Sequence, residues 1–215
     1  MKTPLTLFLS GIDTDAGKTY ATAYLAKRFM QQGLSVVTQK FIQTGCKDDS
    51  EDIIAHRKLM GIDLLPEDKD HTTAPIIFTY PASAQLAARI DGRDIDISLI
   101  DRSREILASR YDVVIIEGAG GLMVPFTDDF LTIDYPATRQ LPVVLVTNGI
   151  LGSINHTLLS LEAIKARGLE LPYIIYNKYF DTDELIAEDT LGFIRRYVAK
   201  HFPGTEIIEM PGMPS

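Results

Sequence analysis

Residues 112–117 read Asp-Val-Val-Ile-Ile-Glu, four consecutive β-branched apolar side chains between two acids. A strand with one face in water alternates apolar and polar residues. This one is apolar on both faces, so both must be covered, as in a parallel sheet held between two layers of helices. Comparable apolar runs occur at 5–10, 35–40, 143–147 and 173–176, with a weaker one at 206–210. Most are separated by segments of helical periodicity, which predict helices over 17–33, 51–60, 84–90, 99–109, 154–167 and 183–200. The alternation predicts an α/β fold, a doubly wound and mostly parallel sheet flanked by helices. Right-handed crossovers then fix most of the topology. A chain of 215 residues suits a single domain over 1–215, and no repeat or Pro-rich linker divides it. The least regular stretch, 61–81, holds Pro66, Pro75 and Pro81 and reads as a long connection or a loop over a substrate site.

The first apolar run leads into Gly11-Ile12-Asp13-Thr14-Asp15-Ala16-Gly17-Lys18-Thr19, after which the first helix begins. A glycine-rich turn between a strand and a helix N-terminus offers free backbone N–H groups to an anion. A lysine and a hydroxyl at its end add contacts to the β- and γ-phosphates and to Mg²⁺, the arrangement of a P-loop NTPase. A Gly-Lys-Thr tripeptide alone is a common turn, so the weight rests on its placement between strand and helix. The interval between the glycines is five residues, one more than the general P-loop spacing.

Two further strand ends point to the same crevice. Glu117 closes the most apolar run and is followed by Gly118-Ala119-Gly120-Gly121, at the carboxyl end of a strand where open α/β sheets bind ligands. It stands where P-loop proteins often carry a metal-facing Asp, and the glycines let backbone approach a ligand. Lys40 ends the second run and precedes Phe41-Ile42-Gln43-Thr44-Gly45. A single lysine at a sheet edge usually snorkels into water; three strand ends converging on one crevice favour a role for it in binding.

Other chemistries find no support. The formal charge of −8 and the lack of a basic run disfavour nonspecific nucleic-acid binding, though local cations still permit a nucleotide. The start, Met1-Lys2-Thr3-Pro4, meets an apolar stretch at 5–9 too short for a signal-peptide core or a bilayer span, so a cytoplasmic protein without membrane attachment is expected. His56, His71, His156 and His201 lack metal-cage spacing and read as surface or packing residues. Cys46, the one cysteine, reads as a non-catalytic thiol in a polar loop. No Gly-x-Ser-x-Gly elbow is present.

Together, the loop from Gly11 to Thr19, Lys40 with Thr44-Gly45, the run from Glu117 to Gly121, and Leu151-Gly152-Ser153-Ile154-Asn155-His156 resemble the dethiobiotin synthetase family in order and spacing. The five-residue loop interval is similar to that family's pattern. The resemblance implies substrates 7,8-diaminopelargonate, CO₂ and ATP with Mg²⁺, and a route through a carbamate and a carbamoyl phosphate anhydride to the cyclic urea. It implies that Lys18 and Lys40 are catalytic, that Asp13, Thr14, Asp15, Ala16, Gly17, Lys18, Thr19, Glu117, Gly118 and Gly120 embrace the nucleotide, and that Thr19, Asp52 and Glu117 hold the metal. Glu51 is the alternative to Asp52, which is otherwise a helix N-terminal charge favoured by the dipole.

Asn177 and Pro211 resemble adenine-side positions, and Thr14 and Thr44, otherwise simple turn residues, resemble substrate contacts. Gly152, Ser153 and Asn155 correspond to the segment through which a second subunit meets the substrate carboxylate, so a homodimer is implied. A helix N-terminus suits a carboxylate on physical grounds as well. Two departures are Phe41, where the family usually has proline, and Ser83-Ala84-Gln85, where Ser/Ala-Pro-His is common. Partitioning ATPases share the architecture but usually carry a lysine early in the loop, where this chain has Asp13-Thr14-Asp15. Amidotransferase synthetases need a glutamine-hydrolysing partner or domain.

Overall fold

A computed structural model describes residues 4–212; Met1, Lys2 and Thr3 of the segments read above lie outside the described residues. The first half comprises β1 (Leu5–Gly11), α1 (Lys18–Gln31), β2 (Val36–Lys40), β3 (Gln43–Thr44), α2 (Glu51–Met60), α3 (Pro66–Lys69), β4 (Ile77–Phe78), α4 (Ala84–Asp91) and α5 (Ile97–Ala108). The second comprises β5 (Val113–Gly121), β6 (Pro125–Thr127), β7 (Phe130–Leu131), α6 (Asp134–Arg139), β8 (Val143–Asn148), α7 (Ser153–Ala166), β9 (Tyr173–Asn177), α8 (Glu184–His201) and β10 (Glu206–Met210). A 3₁₀ turn, Lys178–Phe180, follows β9.

Six strands form one parallel sheet in the order β10-β9-β8-β1-β5-β2. From β1 the chain crosses to β2, returns to place β5 between them, then reverses to lay β8, β9 and β10 on the far side. The strand order therefore turns about β1, and the crevice beyond its carboxyl end is where such sheets bind ligands. The doubly wound reading holds. All six predicted strands are present, and the run at 113–116 is fully buried near the centre.

Apolar residues pack on both faces. Leu7, Leu9, Val113 and Ile115 meet α1 through Ala21, Leu25 and Phe29 on one side. Phe8, Val114 and Ile116 lie with Phe41, Ile100 and Leu107 on the other. Each such side chain contributes about 1.5–3 kcal/mol on burial, against at most about 1 kcal/mol for an exposed ion pair such as Arg28–Glu206. The core, not the surface charge pattern, holds the layers.

The predicted helices are found within two residues of their expected starts. Local chemistry sets their ends: the Ser50 hydroxyl accepts from the Ile53 N–H to open α2, and Gly61 closes it at φ +74°. Missed from the sequence are the short α3 and α6 and two small pairs, β3 with β4 and β6 with β7. The 61–81 stretch is thus partly ordered as α3 and β4. Arg57 anchors it: this buried guanidinium makes paired hydrogen bonds of 2.9 Å to both carboxylate oxygens of Asp68. Among the described residues no helix is long and apolar enough to cross a membrane.

Candidate active site

The register of the sheet brings the first two charges together. Lys40 and Glu117 are direct neighbours across β2 and β5, so their side chains leave the sheet on the same face. The Lys40 ammonium lies 2.6 Å from Glu117 Oε1 and 2.5 Å from Asp52 Oδ2. Asp52 arrives from the first turn of α2, whose start is tied to β3 by a 2.6 Å bond from the Ser50 hydroxyl to the Gln43 side chain. Between the two possible acids, it is Asp52 that reaches the site, while Glu51 is exposed. The Thr19 hydroxyl, at the start of α1, sits 2.9 Å from Asp52 and 3.4 Å from Glu117.

Burial and charge oppose each other here. Burial acts to raise the Glu117 pKa, but the Lys40 charge, the charge of the His56 ring when protonated, and hydrogen bonds from both hold it well below the usual carboxylate range. Burial alone lowers that of Lys40, and Glu117 and Asp52 together keep it above its ordinary value. Lys18 has no such close partner. Burial, aided by the Lys40 charge and opposed by Glu117, brings its pKa down to about 8.

Lys18 bends back over its own loop, donating to the carbonyls of Asp13 at 2.9 Å and Thr14 at 2.8 Å. Gly17 takes φ +87°, a conformation that strains residues with a Cβ. A Cβ there would also lie 2.2 Å from the Asn177 amide nitrogen, which donates to the Ala16 carbonyl. Asn177 therefore fastens the end of β9 to the loop; its other amide atom accepts from the Tyr179 N–H.

These groups border a cleft of about 570 Å³. Thr14, Asp15, Gly17, Lys18, Thr19, Lys40, Thr44, Asp52, Glu117, Gly120 and Asn177 all line it. Tyr20, Gln43, Tyr179, Phe180 and Met210 line it too, none of which the sequence reading assigned to a site. Asp13 faces a neighbouring groove, and Ala16 lies buried beneath the loop. Gly118 packs against the Phe8 ring, where a Cβ would come within 3.2 Å. Pro211 is exposed just past Met210. Gly152, Ser153 and Asn155 are not among the cleft's lining residues; the Ser153 hydroxyl turns inward to Asn148, while Gly152 and Asn155 are exposed.

Several other readings are revised. His56 is wholly buried, with Nε2 2.6 Å from Glu117 Oε2 and Nδ1 3.0 Å from the Thr38 hydroxyl. It is no surface residue, and more than packing. Cys46 is buried, its N–H bonded to the Phe78 carbonyl. Phe41 points away from the cleft into a cluster with Phe8, Phe126 and Tyr135, so this departure from the family pattern is a core substitution. Ser83 caps α4.

Among the described residues, no three His, Cys, Asp or Glu side chains converge as a metal cage. Two carboxylates and a hydroxyl do meet at Thr19, all of them hard oxygen donors. Mg²⁺ is commonly held by one or two carboxylates together with substrate phosphates and waters, so the set fits that ion.

The family described as AAA domain matches residues 5–208. The signal recognition particle receptor FtsY from Elizabethkingia anophelis, a structure in complex with GDP, superposes with a TM-score of 0.57 at 17% identity. The match covers 100% of this chain but 58% of that longer one, and its likeness is one of fold. The ATP-dependent dethiobiotin synthetase BioD 2 of Pasteurella multocida is 50% identical over 198 residues, covering 92% of this chain and 93% of the relative. The protein of the same name from Haemophilus ducreyi is 50% identical over 204 residues, covering 95% and 97%. With half its residues shared along nearly its whole length, and a phosphate-binding loop set against Lys40, Asp52 and Glu117, the chain belongs to the ATP-dependent dethiobiotin synthetase family.

Proposed function

We propose that this chain, acting as a single domain in the cytoplasm, converts 7,8-diaminopelargonate, CO₂ and ATP into dethiobiotin, ADP and phosphate. The observation that carries the reading is Lys40, a buried ammonium beside the phosphate-binding loop, held by Glu117 and Asp52. A phosphate switch alone has no evident need of it. A reaction that builds and transfers negative charge does.

One substrate amine attacks CO₂, forming an N–C bond and losing a proton to give a carbamate. A carbamate oxygen then attacks the γ-phosphorus as ADP leaves. The second amine attacks the carbamoyl carbon and loses a proton, closing the ring and expelling phosphate. Lys18 and Lys40 hold the carbamate and the transferring phosphoryl group, where fixed positive charge stabilises developing negative charge. The backbone of Asp13 to Gly17 cradles the phosphates, and Lys18 exchanges its carbonyl partners for phosphate oxygens. Thr14 and Thr44 meet the diamine at the rim, and Gly118 and Gly120 let the backbone approach the nucleotide. Asn177 and Pro211 border the adenine.

Thr19, Asp52 and Glu117 would hold Mg²⁺, which would offset the charge of the triphosphate. The Lys40 ammonium stands between the two carboxylates, at the cleft where the reacting oxygens would lie.

The substrate carboxylate is met by Gly152, Ser153 and Asn155 of a second copy, making the enzyme a homodimer. The start of α7, with Gly152 at φ +100°, supplies a suitable N-terminus. The apolar side chains of Ile150, Leu151, Leu159 and Met123 stand exposed around it and give a second copy something to cover.

The test is phosphate release with Mg²⁺, ATP and bicarbonate, with and without 7,8-diaminopelargonate, and mass detection of the product. Diamine-dependent ADP formation matched by a product of dethiobiotin's mass is expected, with at least a 100-fold loss in Lys40→Ala, the scale of one removed electrostatic contact (about 10²–10³). Hydrolysis indifferent to the diamine, with no cyclic urea, would reject the synthetase reading.

A further inference from the structure

Glu117 uses its two oxygens differently. Oε1 faces Lys40 and Thr19, toward the cleft, whereas Oε2 faces His56, whose ring is wholly buried behind the sheet's end. The donors and acceptors around that ring fix its state. Arg57 Nη1, donor only, gives a hydrogen to Thr38 Oγ1 at 2.8 Å. The Thr38 proton then has one partner among its contacts, His56 Nδ1 at 3.0 Å. Nδ1 accepts, so Nε2 carries the ring hydrogen and donates it to Glu117 Oε2 at 2.6 Å. In the opposite tautomer a ring lone pair would face a carboxylate lone pair. With both nitrogens protonated, the Thr38 hydroxyl would be a buried donor without an acceptor, a costly arrangement.

We propose that His56 is a positioning residue for Glu117, held in the Nε2–H tautomer by Thr38. It pins one carboxylate oxygen so that the other is presented to Lys40 and Thr19. The donor occupies Oε2 and leaves Oε1 to meet Lys40 and Thr19. Arg57 extends the support, since the guanidinium that orients Thr38 is itself fixed by Asp68. The inference rests on the reading of Glu117 as a carboxylate of the reaction site. Hydrogen-bonded supports of metal-facing groups typically matter by about 10–100-fold in affinity or activity.

Two measurements on the full chain decide it. In ¹⁵N-labelled protein, long-range ¹H–¹⁵N correlation should give His56 a pyrrole-type Nε2 and a pyridine-type Nδ1, with the signals assigned by their loss in His56→Gln. Thr38→Val should blur that single-tautomer pattern. An Nδ1–H or doubly protonated ring in the wild type overturns the proposal. In parallel, His56→Leu should raise the Mg²⁺ concentration for half-maximal product formation about 10–100-fold, and His56→Gln, whose amide N–H still reaches Glu117, should recover most of it.

A lowered melting temperature with an unchanged Mg²⁺ requirement in both variants would assign His56 to packing alone and also overturn it. If His56→Leu does not fold, the wild-type tautomer and the Mg²⁺ requirement of Thr38→Val, expected to rise, carry the decision. A wild-type chain that makes no cyclic urea would sink the functional reading instead, while the tautomer still reports on whether His56 holds Glu117.

Discussion

Gly17 shows how much one residue decides. Its φ of +87° costs an L-residue about 1–2 kcal/mol. An added Cβ would also collide with the Asn177 amide and break its bond to Ala16, worth about 0.5–1.5 kcal/mol. Gly17→Ala is therefore expected to lose about 2–3 kcal/mol in urea unfolding and to bind ATP more weakly; an unchanged midpoint would contradict the account. Gly17, Lys18 and Thr19 were legible because a phosphate-binding loop is local, nine consecutive residues between a strand and a helix. His56 was not. Its meaning depends on α2 laying it against a carboxylate 61 positions away, and no spacing in the chain announces such a meeting. Lys40 lies between these cases: its place at a strand end was readable, its register with Glu117 was not.

The strands and long helices follow from periodicity, and six of each were read correctly in kind and order. What periodicity left out is short: α3 is one turn, and β3 and β4 have two residues each. Such pieces bury too little to leave a pattern, and Arg57 rather than apolar spacing secures the first of them. Burial works to raise the Asp68 pKa, but bonds from Arg57, the Leu65 N–H and the Thr73 hydroxyl hold it below the ordinary aspartate value. A carboxyl with a depressed folded pKa stabilises above its unfolded pKa, near 3.8, and loses that contribution as pH falls through the folded value. Asp68→Asn is expected to cost about 3–5 kcal/mol at neutral pH by leaving a buried guanidinium unpaired. Its deficit against wild type should narrow once pH drops below about 4. Chemical denaturation of both proteins across that range tests this, and a deficit that stays constant would show that ionisation of Asp68 is not the source.

At the level of the molecule, the doubly wound topology was legible because β-branched runs alternating with helices leave few alternatives. The proposed association with a second copy has no signature in periodicity, since an apolar surface side chain looks the same whether water or a partner covers it. Leu151, 81% exposed, is the sharpest test of that assembly. Leu151→Asp should sediment as a monomer, keep ATP binding in its own intact cleft, and lose at least about 10-fold in kcat/KM for the diamine, the loss of roughly one good contact; full activity as a monomer would place the whole substrate site within one chain.

One feature of the fold also bears on how the protein survives at high concentration. β2 ends the sheet, and a bare parallel edge is a template on which other chains can stack and aggregate. Every residue of β2 is nevertheless buried, and the Lys40 N–H is taken by the Thr73 carbonyl at 2.7 Å. The Gln43 and Cys46 N–H groups beyond it are taken in turn by Ile76 and Phe78. The irregular stretch clasped by Arg57 thus covers the carboxyl end of this edge, and its release would expose a sticky margin.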